Sequence, residues 1–146
     1  QQPGRSRPAC IAAHYPALSV VTSLTRLSPL GQPCPNFVHT DVDMGDVTGI
    51  FYLNPDPPEQ DGTAFYRHRT TGREVSIATD SLDRISEGFE WRDIGAWERM
   101  HVVAARFNRL VLFPAGAYHS RAMFENYGQS EHDARLIQIC FATGTL

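Results

Sequence analysis

The sequence predicts an all-β domain (a sandwich, jelly roll or barrel), and three observations carry that prediction. Ten prolines and eleven glycines cut the 146 residues into short pieces and leave no long stretch with a helical apolar period. The pieces are rich in Val, Ile, Phe, Tyr or Thr and are bounded by Pro, Gly, Asn or Asp. Seven or more short strands fit the length, without the alternating helices that a doubly wound fold requires.

In chain order the expected strands are Ala17–Leu27, Phe37–Asp41, Gly49–Leu53, Thr63–Arg67, Met100–Ala105, Arg109–Phe113 and Arg135–Phe141. The cluster Asn54-Pro-Asp-Pro-Pro-Glu-Gln-Asp-Gly62 reads as a turn joining two of them. Phe107-Asn108, between the runs ending at Arg106 and beginning at Arg109, predicts a tight hairpin. Residues 70–99 break the rhythm: Ser81–Glu87 reads as a short helical turn, and Trp91 and Trp97 fall in the long connection. The whole chain, 1–146, fits a single domain, with residues 1–16 as an N-terminal tail; the start at Gln1 without methionine reads as a trimmed one.

Composition excludes several functions. No apolar run approaches the roughly 18 to 20 residues of a membrane span. The net charge of −3 carries no basic block, which argues against a nucleic-acid partner. All thirteen basic residues are arginine, so mechanisms built on a lysine base, Schiff base or P-loop lysine are excluded. Three cysteines (Cys10, Cys34 and Cys140) without C-x-x-C spacing fit a reduced, cytoplasmic protein better than a disulfide framework.

Three features can carry chemistry. His39-Thr40-Asp41 is an H-x-D on an expected strand, where alternation turns both side chains to one face about 7 Å apart along the backbone. His119 follows an apolar strand and a Pro/Gly turn, at an expected strand mouth. Two histidines and one carboxylate leave coordination positions open, as in non-haem Fe(II) oxygenases, and zinc accepts the same donors. Arg135 opens the last strand on the same face as Ile137, Ile139 and Phe141. An arginine among apolar neighbours requires an anion: either a ligand carboxylate or an acidic side chain at the strand's end. His68, His101, His14 and His132 have no spacing that ties them to this set, and His68 is expected in solvent at a strand end. Tyr66, Trp91 and Trp97 are expected in the core, and Asp43 and Asp46 in solvent.

The ordered segments HTD, GIFYLN, DGTAFYRH, NRLVLFPAGAYHS and RLIQICF, spanning residues 37–141, resemble the prolyl-hydroxylase-like branch of the Fe(II)/2-oxoglutarate-dependent oxygenases, small bacterial members above all. The resemblance implies a double-stranded β-helix with few short helices. It implies His39, Asp41 and His119 as catalytic iron ligands, and Arg135 and Tyr52 as the residues binding the far carboxylate of 2-oxoglutarate. The implied reaction uses O₂ and couples decarboxylation of 2-oxoglutarate to succinate with C–H oxidation of a peptide or small amino-acid-like substrate. Arg135 follows His119 by sixteen positions, wider than is usual in the family, which leaves Arg121 as a rival anchor. Residues 70–99 are then an insertion. The alternative reading is a non-catalytic, cupin-like module that binds a metal or ligand.

Overall fold

The structure, a computed structural model, describes residues 14–33, 38–76, 93–130 and 132–146. The expected helical turn over Ser81–Glu87, together with Trp91, Cys10 and Cys34, lies outside these residues. Seven strands follow in chain order: β1 (Leu18–Ser28), β2 (Val47–Tyr52), β3 (Gly62–His68), β4 (Trp97–Ala104), β5 (Leu110–Pro114), β6 (His119–Arg121) and β7 (Arg135–Gly144). The described helical structure besides is a 3-10 turn at Ile94–Ala96, which the Asp93 side chain caps by accepting from Gly95 N. No helix among the described residues is long and apolar enough to cross a membrane.

The strands form two sheets, with orders β1-β7-β2-β5 and β4-β3-β6, and every pairing is antiparallel. After β2 the chain passes repeatedly from one sheet to the other, the arrangement of a jelly roll. The fold class read from the sequence is therefore the one observed. β2 is buried along its whole length, because β7 and β5 flank its edges and apolar groups cover both faces. On one face Val47 and Phe51 pack with Leu18, Cys140 and Ala142; on the other Ile50 and Tyr52 pack with Phe113 and Ile137. Phe65 of the smaller sheet meets Phe113 edge to face at 5.1 Å, which joins the two sheets.

Local expectations differ from the structure at four places. Phe107-Asn108 does make a tight turn, with Arg109 N donating to Arg106 O at 3.0 Å and Asn108 at φ 62°. It is not a hairpin, however, because β4 and β5 lie in different sheets. Of the stretch expected as a strand over 37–41, the described residues 38–41 form a single β-bridge, His39 with His119, rather than a strand. Trp97 opens β4 rather than lying in a connection, and with Tyr66, Val38 and Tyr118 it forms a third core cluster. His68, expected in solvent, is buried and packs edge-on against Trp97 at 5.0 Å.

Candidate metal centre

Between the sheets lies a cavity of about 100 Å³, room for a small metabolite rather than a drug-sized ligand. Strand alternation decides its lining. β7 contributes Arg135, Ile137, Ile139 and Phe141, the face expected from the sequence, and β2 contributes Thr48 and Ile50.

His39, Asp41 and His119 meet at this cavity, and their ligand atoms all lie within 4.8 Å of one another. Backbone pairing brings them together across 80 positions of sequence. His39 N donates to His119 O at 2.9 Å, His119 N returns a bond to His39 O at 3.0 Å, and Asp41 N donates to Ala115 O at 2.8 Å. The imidazole rings of His39 and His119 sit 4.3 Å apart. Asp41 lies between them, with Oδ1 3.7 Å from His39 Nε2 and Oδ2 3.3 Å from His119 Nε2. His119, expected at an open strand mouth, is buried at the start of β6 with its ring edge-on to Phe113 at 4.7 Å.

The donor set fits a divalent cation. Ala117 O lies 2.9 Å from His119 Nδ1 and holds its proton there, which turns the Nε2 lone pair toward the Asp41 carboxylate. That contact is repulsive unless a proton or a cation lies between the two groups. Thr48 Oγ1 donates to Asp41 Oδ2 at 2.8 Å and fixes the carboxylate. Burial alone would raise the Asp41 carboxyl. With a proton rather than a cation between the groups, the hydrogen bond from His119, the positive charges then carried by His119 and His39, and the Thr48 hydroxyl together outweigh burial and hold it below the ordinary carboxylate value.

Arg135 is buried beside the cavity, and its partner is Asp61, the residue before β3. Arg135 Nε donates to both carboxylate oxygens, at 2.9 and 3.1 Å. Asp61 also accepts from Tyr127 OH and Gly62 N, both at 2.8 Å. Asn54 braces the same corner by accepting from Leu136 N and donating to Ala134 O. Nε is the only atom of the Arg135 guanidinium that bonds within the described residues, so its Nη groups are the donors left for the cavity. Arg121 also lines the cavity, with its Nη groups donating to Asn126 Oδ1 and Glu125 O.

Tyr52 stands one layer behind the cavity wall. Its hydroxyl meets Thr63 Oγ1 at 2.6 Å, and Thr63 lines the cavity. Burial is the main reason its phenol is pushed up to about 12. Asp61, Thr48, Tyr127 and Thr63 were not singled out from the sequence. Thr48 shares parity with Ile50 and Tyr52, a signal available in the sequence, whereas Asp61 read as an ordinary turn residue before glycine. Asp46 is exposed, as expected, and its Oδ2 accepts from Gly144 N at 2.9 Å.

Residues 4–136 match a family described as a family of unknown function, DUF6445. No curated protein matches the chain. Among solved structures it is similar to SnoK, a non-heme alpha-ketoglutarate-dependent carbocyclase from nogalamycin biosynthesis, at 18% identity and a TM-score of 0.53. That likeness covers 86% of this chain and 50% of SnoK, so the chain spans about half the length of that enzyme, and the likeness is one of fold. HygX from Streptomyces hygroscopicus, solved with iron bound, is similar more weakly: 12% identity, a TM-score of 0.39, and coverage of 84% of this chain and 57% of HygX.

Proposed function

The chain belongs to the DUF6445 family of unknown function, and on that premise we propose that it is an Fe(II)- and 2-oxoglutarate-dependent oxygenase, a hydroxylase of the prolyl-hydroxylase-like branch. Its reaction couples decarboxylation of 2-oxoglutarate to succinate with C–H oxidation of a peptide or small amino-acid-like substrate. The observation that carries the reading is the convergence of His39, Asp41 and His119 on one cavity wall. Iron held there would supply open coordination positions where 2-oxoglutarate and O₂ meet.

The remaining work falls to the chain's own residues. Ala117 O keeps the proton of His119 on Nδ1, so Nε2 faces the metal position. Thr48 holds Asp41 in place through its hydroxyl. The Nη groups of Arg135 bind the far carboxylate of 2-oxoglutarate, while Nε remains on Asp61. Tyr52 supports that wall through Thr63. Ile50, Ile137, Ile139 and Phe141 keep water from the reacting centre. The working compartment is the cytoplasm, where iron stays ferrous and the cysteines reduced.

A second reading, a non-catalytic cupin-like module, draws support from one observation: Asp61 already compensates the charge of Arg135. Succinate formation separates the two. The oxygenase reading expects Fe(II)-dependent conversion of 2-oxoglutarate to succinate that disappears in His119→Ala. Iron binding without any succinate leaves the module.

A further inference from the structure

Arg26 of β1 stands out among the cavity residues because nothing in the described structure compensates it. It faces Ile137 across the β1–β7 pairing, on the face that carries Arg135 and Ile139, and it lines the cavity from an exposed position. Diagonal neighbours on paired strands lie about 7–8 Å apart, within reach of a long side chain. Arg26 and Arg135 are such neighbours, since Ser28 is the residue paired with Arg135. Their electrostatics differ. Arg135 is bound to the buried carboxylate of Asp61, whereas Arg26 makes no hydrogen bond or ion pair within the described residues.

The Arg135–Asp61 pair is neutral as a unit, so it can orient a carboxylate without balancing its charge. Arg26 supplies an uncompensated positive charge on the outer part of the same wall. An exposed guanidinium on the cavity lining, with its donors available, matches the geometry of an anion entering from outside.

We propose that Arg26 is a specificity residue that binds an anionic group, a carboxylate or a phosphate, on the substrate as it enters the cavity. This rests on the oxygenase reading for the word substrate; the anion site itself stands on the placement of Arg26. A substrate with a free carboxylate or a phosphoryl group would dock that group on β1 and extend its neutral part toward His39, Asp41 and His119.

The test uses benzoate and phenyl phosphate as anionic probes and benzamide as the uncharged match. Each is titrated into the full chain by NMR, both alone and after loading with Mn(II) and 2-oxoglutarate. At least one anion is expected to bind at the cavity, benzamide is not, and Arg26→Gln is expected to weaken the anion about 10- to 100-fold, the loss of a charge-assisted hydrogen bond. Arg26→Lys should recover part of that affinity. The weakening should exceed any loss of 2-oxoglutarate affinity in the same variant. Equal binding to wild type and Arg26→Gln, equal binding of benzamide, or no anion binding at all overturns the proposal. A larger loss for 2-oxoglutarate than for the probes also overturns it, by assigning Arg26 to the cosubstrate. If 2-oxoglutarate fails to bind wild type while the anions bind through Arg26, the oxygenase reading fails and the anion site stands.

Discussion

Replacing Asp61 by asparagine keeps the shape of the side chain and removes its charge. Asp61 and Arg135 are both buried, and Asp61 receives Arg135 Nε, Tyr127 OH and Gly62 N on its two oxygens. An amide in that position can accept from Tyr127 or Gly62, but it offers N–H where the guanidinium also offers N–H. Breaking one side of a buried ion pair costs about 3–5 kcal/mol, chiefly because the other charge is left stranded. Against a typical domain stability of about 5–15 kcal/mol this is a large share. With a urea slope of about 2 kcal/mol/M, the denaturation midpoint should fall by about 1.5–2.5 M. Fluorescence of the buried Trp97 follows the transition. Replacing both partners, Asp61→Leu with Arg135→Met, should recover part of the loss, since no charge is then stranded although Tyr127 OH and Gly62 N lose their acceptor. A midpoint shift below about 0.5 M for Asp61→Asn, against the slope expected for a domain of this size, would refute the buried-pair argument. So would a double variant less stable than the single one.

Three further expectations follow from the site and its supports. Thr48→Val removes the hydroxyl that fixes Asp41 and should weaken Mn(II) binding about 10-fold or more, measured by titration, with little change in the urea midpoint. Arg135→Gln should weaken 2-oxoglutarate by about 10- to 100-fold in the folded protein while Mn(II) affinity is retained; unchanged 2-oxoglutarate affinity would transfer the anchor to Arg121. The Tyr52 phenol, ordinarily near 10 and raised to about 12 in the fold, holds its proton more tightly folded than unfolded. Its contribution is therefore complete below about pH 10 and is lost as pH rises from about 10 through 12, up to about 2–3 kcal/mol in all. Tyr52→Phe should flatten that alkaline loss, and an unchanged pH profile of stability would contradict the assignment.

Much of the fold was legible because strand alternation is a local property. The face of β7 that carries Arg135, Ile137, Ile139 and Phe141 could be read directly, and so could the shared side of His39 and Asp41. What stayed illegible depended on distant partners. The turn at Asn108 has the chemistry of a tight turn, yet local chemistry does not say which sheet the next strand joins. β6 is three residues long, too short for any periodicity, and exists because His119–Arg121 pairs with Thr63–Phe65. His39 bridges a single residue, so a β-rich stretch there did not become a strand. For Arg135 the sequence leaves a ligand carboxylate and an acidic side chain both open as partner, and it does not point to Asp61, which lies 74 positions away in a proline-rich turn. That choice is made by burial, and burial is a property of the assembled sheets.

The central claim is that His39, Asp41 and His119 form one metal site. Calorimetric titration of Mn(II) into the full chain, with and without 2-oxoglutarate, tests it most directly. The account predicts one ion per chain, tighter binding when 2-oxoglutarate is present, and loss of both effects in Asp41→Ala. Absence of a stoichiometric ion in wild type, or an ion retained unchanged in Asp41→Ala, would contradict it.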